Sequence, residues 1–152
     1  MDIDFVSVIV CHHTGNFLPA LLESLRESNR IKYEIIIVTS DKELKLPGFP
    51  EAIILYANAG PAEKRNIGAK EVNSDYLFFL DDDTVIEPMF LYEMTETMKK
   101  GTGMVYGKTL NMEHRNMLDN AGSYLTWTGF LWAREESGQV EDTGQFDQGE
   151  LI

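Results

Sequence analysis

Cysteine is nearly missing: Cys11 stands alone in 152 residues. That excludes an internal disulfide framework and fits a reducing compartment. Basic residues are also scarce. Thirteen Lys and Arg face 25 Asp and Glu, a formal charge of −12 with a pI near 4.6. Phosphate backbones are held by Lys and Arg, so this balance argues against nucleic acid as a partner. Long apolar runs are lacking too. Ile35-Ile36-Ile37-Val38 falls far short of the roughly 20 residues of a membrane helix, so no transmembrane segment is expected. The start, Met1-Asp2-Ile3-Asp4, has no basic n-region of a signal peptide. A cytoplasmic location is expected, the inner face of a membrane included if another segment or protein supplies the contact. There is no P-loop, no GxGxxG and no Ser/His/Asp order, so the NTPase, dinucleotide and hydrolase readings lose their usual support.

What is present is ordinary globular material, with 43% hydrophobic and 25% charged residues. The length suits one domain with a real core. Phe5 to Cys11, Tyr33 to Val38, Ala52 to Tyr56 and Asp75 to Leu80 are short β-branched or aromatic runs. Their near-continuous apolarity suits strands covered on both faces. Phe17, Leu18, Leu21, Leu22 and Leu25 recur at helical spacing, with Asn16 the expected N-cap and Pro19 in the first turn. Gly60-Pro61 is expected to open a helix running to about Val72, and Glu87-Pro88 another carrying Phe90, Leu91, Met94 and Met98 on one face. Met104 to Leu110 is the expected fifth strand. This rhythm predicts an α/β fold with a mostly parallel sheet. Residues 1–110 would form its main body, and 111–152, rich in Gly, Trp and acids, an irregular extension of loops and short strands.

In parallel sheets ligands sit at the carboxyl ends of strands, near a topological switch point. Polar residues cluster where that rule puts them: His12 and His13 after strand one, Thr39 to Asp41 after strand two, Asp81-Asp82-Asp83 after strand four. Adjacent carboxylates repel one another unless a cation neutralises them. Hard divalent cations take one or two carboxylates plus substrate phosphates. In an extended segment Asp81 and Asp83 share a side. The trio reads either as a metal and ligand site or as a solvated acidic turn. Gly60 to Lys70 offers a helix N-terminus with Lys64 and Arg65, suited to phosphate or to an ordinary charged surface helix. Cys11, His12 and His13 lack the further ligands of a structural zinc site. One imidazole is expected to meet a ligand ring and the other to be structural, while Cys11 serves as a small buried hydrophobe. Trp127, Phe130 and Trp132 are read as core in preference to a sugar-stacking platform.

Together, Val6-Ser7-Val8-Ile9-Val10, Glu34-Ile35-Ile36-Ile37-Val38, Arg65-Asn66-Ile67-Gly68 and Phe79-Leu80-Asp81-Asp82-Asp83 resemble the family 2 glycosyltransferases of GT-A fold. Asp119-Asn120-Ala121-Gly122 and Gly144-Gln145-Phe146-Asp147 are similar to its rhamnosyltransferase-type branch. The resemblance implies a Rossmann-like three-layer sandwich. It also implies inverting transfer of a sugar from a UDP-, dTDP- or GDP-linked donor to a saccharide or lipid-linked acceptor, in polysaccharide or glycoconjugate assembly. It assigns donor contacts to His12, His13, Thr39, Asp41, Arg65, Asn66, Asp81 and Asp82, and a Mn²⁺ or Mg²⁺ ion to Asp83, a DXD-type arrangement.

Two departures stand out. The acid usual after strand two is replaced by Thr39-Ser40, with Asp41 following, and the usual Pro-Thr-Tyr after strand one reads Cys11-His12-His13. No general base is identified: none of Asp119, Glu135, Glu136, Glu141, Asp142 or Asp147 matches the family's base motif. The fold is therefore expected to be incomplete on its C-terminal side, the donor-binding half of an enzyme or a nucleotide-sugar-binding module without transfer activity. An open sheet edge in such a half would favour self-association.

Overall fold

The computed structural model describes residues 3–101, 103–134 and 140–147. They divide into two compact units, Met1–Lys99 and Lys100–Ile152, ahead of the position 110 at which periodicity fades.

In the first unit β1 (Phe5–His12), β2 (Lys32–Thr39), β3 (Ile53–Tyr56) and β4 (Leu77–Asp81) form one parallel sheet in the order β3-β2-β1-β4. The chain builds outward from β1 through β2 to β3, then returns to the other side of β1 as β4. The switch point thus lies between the carboxyl ends of β1 and β4, where Cys11 pairs with Asp81. Helix α1 (Leu18–Glu27) buries Leu18, Leu21, Leu22 and Leu25, the i, i+3, i+4, i+7 stripe of an amphipathic helix. With Leu91 of α3 (Phe90–Met98) they cover Val6, Val8, Val10, Ile35 and Ile37 on one face of the sheet. Ser24 Oγ donates to the Leu21 carbonyl at 2.7 Å and accepts the Ile86 N–H at 3.2 Å, tying α1 to the approach to α3. Helix α2 (Pro61–Gly68) lies on the opposite face, where a Cβ at Gly68 would meet Ile9 and Val38. Helix, sheet and helix make the three layers.

Several boundaries differ from expectation. The residue at the N-cap of α1 is Phe17, and no side chain caps the helix; the expected cap, Asn16, lies one residue outside. Helix α2 stops at Gly68 instead of Val72, because the following residues turn back toward β2. There the Asn73 backbone N–H and side-chain amide each donate to the Glu34 carboxylate at 2.7 Å.

Glu34 also accepts a hydrogen bond from the fully buried Ser7 of β1. Burial pushes its carboxyl up, but the bonds from Ser7 and Asn73 outweigh that and hold it below the ordinary 4.5. A carboxyl lowered on folding stabilises the native state fully above its unfolded pKa, and that contribution is lost as pH falls through the folded value. Stability should therefore decline below about pH 4.5. Glu34→Gln, which sets an amide N–H₂ against the Asn73 donors, should cost about 1–3 kcal/mol at pH 7 and flatten the acid slope. Urea midpoints between pH 3 and 7 measure both; a variant as acid-sensitive as the parent would contradict the assignment.

The described residues of the second unit form two antiparallel strand pairs. β5 (Thr109–Leu110) pairs with β6 (Leu118–Asn120), and β7 (Ser123–Leu125) with β8 (Leu131–Ala133). Of the expected strand Met104 to Leu110 only the last two residues are paired, and Met104 is 87% exposed. Lys108 binds Asp142 at 2.7 Å and also Asp147, which holds the 140–147 segment beside β5. The Lys108 bond keeps the Asp142 carboxyl below its ordinary range. Trp127, Phe130 and Trp132 are not core: they are 98%, 73% and 72% exposed. Among the described residues, the rings lie in and beside the two-stranded β7–β8 ribbon and stay exposed.

Candidate functional site

The β1–β4 switch point assembles side chains from three separated stretches of sequence. His12, the last residue of β1, is 2% exposed, and its Nδ1 lies 2.5 Å from Asp82 Oδ2. The His13 backbone N–H donates to the same oxygen at 3.3 Å. The Lys64 ammonium, on α2 and 3% exposed, donates to the His12 carbonyl at 2.6 Å. Arg65 forks outward to Asp81 at 2.9 Å, a pair whose side chains are 37% and 61% exposed. Asp83 is exposed. The histidines thus divide their roles: His12 is committed inside the protein and His13 faces solvent.

The three acids are not the extended array expected. β4 ends at Asp81, and the chain turns through Asp82 and Asp83 as Thr84 donates its hydroxyl to the Asp81 carbonyl at 2.7 Å. The alternation that would set Asp81 and Asp83 on one side ends with the strand. Mutual repulsion is relieved by protein partners for two of the three, Arg65 for Asp81 and His12 for Asp82. Among the described residues no group of three His, Cys, Asp or Glu side chains is drawn together as a ligand set. A cation here would take Asp83 and draw its remaining oxygens from substrate and water, the usual habit of Mg²⁺.

Beside this turn an open hollow of about 400 Å³ is lined by Cys11, His13, Ala59, Gly60, Pro61 and Lys64. It lies at the carboxyl end of β1 and the N-terminus of α2, where unpaired backbone N–H groups favour anionic or acceptor-rich ligands. Cys11 is half-buried with its Sγ 3.7 Å from the Pro61 carbonyl. Burial pushes its thiol up, Arg65 opposing, which disfavours a nucleophilic thiolate. After β2, the Thr39 hydroxyl accepts the Asp41 N–H at 2.9 Å, and Asp41 accepts the Glu43 N–H at 2.9 Å. Thr39 is 1% exposed, so its hydroxyl closes a turn and Asp41 offers the accessible oxygens. Asn66 is exposed on α2. Neither Thr39, Asp41 nor Asn66 lines the hollow.

Sequence reasoning missed the roles of Lys64 and Glu34. Lys64 read either as a cation suited to phosphate or as a solvated charge on a surface helix, and in the structure it is buried on the His12 carbonyl. The available signal was its place four residues after Gly60, one turn into a helix leaving a strand end. Of the acids considered as a base, Asp142 and Asp147 are bound to Lys108, Glu141 Oε1 receives the Asn116 amide at 3.4 Å, and Glu135 and Glu136 lie outside the described residues.

Residues 7–120 match the family model for glycosyl transferase family 2. An uncharacterized glycosyltransferase of Haemophilus influenzae is 39% identical over 77 residues, covering 47% of this chain and 26% of that protein. The uncharacterized glycosyltransferase YwdF of Bacillus subtilis is 33% identical over 104 residues, covering 62% and 38%. The putative glycosyltransferase EpsH of the same organism is 29% identical over 115 residues, covering 69% and 33%. The chain therefore spans between about a quarter and two fifths of these relatives' lengths. Among solved structures, S. aureus TarS 1-349 superposes with a TM-score of 0.53 at 17% identity, over 72% of this chain and 43% of that one. That likeness carries the fold alone, a GT-A-like α/β arrangement.

Proposed function

The chain belongs to glycosyl transferase family 2, and from that premise we propose that its first unit is the nucleotide-sugar donor site of a sugar-transferring enzyme. One observation carries the reading. A parallel sheet brings the hollow, the α2 N-terminus, Arg65 and an exposed Asp83 to a single switch point, from stretches of sequence far apart. The planar base would lie in the hollow against His13, Cys11 and Pro61, with the Asp41 carboxylate toward its approach; Thr39, whose hydroxyl closes a turn, and Asn66, outside the hollow's lining, would not touch it. The diphosphate would lie toward Arg65 and the acid turn. An exposed Arg–Asp pair is worth no more than about 1 kcal/mol. Arg65 can therefore leave Asp81 for a phosphoryl oxygen, freeing Asp81 to accept a donor hydroxyl.

Asp83 supplies the all-oxygen chemistry that suits Mn²⁺ or Mg²⁺. Such an ion, when bound, would neutralise charge on the departing diphosphate. The acceptor in this reading is a saccharide or a lipid-linked saccharide, in polysaccharide or glycoconjugate assembly, and transfer is inverting. Among the described residues no helix is long and apolar enough to cross a membrane. A second reading, donor binding without transfer, is favoured by the engagement of Asp142 and Asp147 with Lys108.

Calorimetry with UDP, dTDP and GDP, each with and without Mn²⁺, tests the proposal: one of them should bind in a Mn²⁺-dependent manner. Absence of binding to all three would remove the donor-site reading. Sugar transfer or donor hydrolysis by the same protein would decide between the two readings.

Association between copies belongs to the same reading. Both edge strands of the sheet carry exposed apolar side chains: Ile53, Ile54 and Tyr56 on β3, Leu77 and Phe79 on β4. Sedimentation velocity is expected to show concentration-dependent association through these edges. A monodisperse monomer at high concentration would dismiss it.

A further inference from the structure

The ladder between β1 and β4 ends at the Cys11–Asp81 pair. Beyond it, among the described residues, no backbone hydrogen bond of a sheet holds the acid turn to β1. What continues the connection is a set of side chains: the His12 imidazole 2.5 Å from Asp82 Oδ2, the His13 N–H on the same oxygen, and Lys64 on the His12 carbonyl. Both long side chains are almost wholly buried. Burying an ammonium costs several kcal/mol unless its surroundings return the loss. Here it is held by a carbonyl whose own residue carries a carboxylate on its ring. The three groups come from β1, α2 and the turn after β4, and they meet only at this point.

The geometry points to His12, Lys64 and Asp82 as a positioning clasp that sets the acid turn against β1 and α2, with Asp82 turned into the protein and not a contact of the donor or the cation. The trio of acids is thereby split. Asp82 anchors the turn from within, and the anchoring leaves Asp81 and Asp83 presented outward with their spacing held. Lys64 acts one step back, by fixing the backbone of the residue that holds Asp82. This inference rests on the donor-site reading for its consequence, though not for the existence of the clasp.

The experiment has an arm that needs no ligand. In the nucleotide-free protein, amide ¹⁵N order parameters at residues 82–84 should be near the rigid value of about 0.85 and drop below about 0.6 in His12→Ala. Unchanged values would overturn the clasp even if no nucleotide binds. The second arm measures UDP affinity in the presence of Mn²⁺. His12→Ala and Asp82→Ala should each weaken it by about 10-fold, the scale of lost supporting contacts around a metal. The double variant should be no weaker than either single one, because both break the same link. Asp82→Asn, whose amide oxygen still accepts a hydrogen bond from His12, should stay within about 3-fold of the parent. Additive losses, or Asp82→Asn as damaging as Asp82→Ala, would make Asp82 a direct ligand and overturn the proposal. Should His12→Ala fail to fold, Lys64→Met, which keeps the aliphatic stem, is expected to loosen residues 82–84 in the same measurement; a rigid turn in that variant would overturn it.

Discussion

Asp83→Ala is expected to lower affinity for a nucleoside diphosphate in Mn²⁺ by on the order of 100-fold, at least the loss seen when supporting groups around a metal are removed. Its unfolding midpoint should stay close to that of the parent. The asymmetry follows from the site's construction. Asp81 is paired with Arg65 and Asp82 with His12, whereas Asp83 is exposed, and an exposed side chain contributes little to stability. Removing it leaves no buried group without a partner. With EDTA in place of Mn²⁺, parent and variant should bind equally weakly, because the carboxylate would act only through the cation. Calorimetry in the two buffers measures both effects. Equal affinities of parent and variant in Mn²⁺ would remove the cation from the site.

The second large effect is expected at Gly68. A Cβ there would sit 2.6 Å from Ile9 Cγ2 and 3.3 Å from Val38 Cγ2, both on the sheet. Ile9 and Val38 are fully buried, so neither can swing away and α2 must lift. Gly68→Ala is expected to destabilise by about 1–3 kcal/mol, the range for overpacking a core, despite the gain of up to about 1 kcal/mol in helix propensity. Lifting α2 would also carry Lys64 and Arg65 away from His12 and Asp81, so nucleotide affinity should fall together with stability. Ile9→Ala opens the space that the new methyl needs. It should therefore cost less in the Gly68→Ala background than in the parent, a coupling that denaturant midpoints of the four proteins would give. Additive losses would place the strain elsewhere.

Much of the first unit was legible before any coordinates. β1 and β2 are apolar and β-branched because helical layers cover both their faces, and the Leu18-Leu21-Leu22-Leu25 stripe has one geometric solution. The switch-point rule, applied to those elements, led directly to His12, His13 and Asp81 to Asp83. Boundaries set by distant partners were not legible. Nothing local in Lys70-Glu71-Val72-Asn73 tells that Asn73 will donate to Glu34, 39 positions earlier, beyond the end of α2 at Gly68. The aromatic hairpin was misread for a related reason. Trp and Phe are normally buried, but burial depends on which distant segments pack against the ribbon, and local composition does not carry that.

Local pattern alone determined the α/β class, the parallel sheet and the neighbourhood of the site, since hydrophobic period and turn chemistry act over a few residues. Which acid faces solvent, which histidine is given up to hold the turn, and where Lys64 buries its charge were decided only by tertiary structure. Those outcomes depend on which side chains converge from strands and helices tens of residues apart, and chain order does not encode the distance between them.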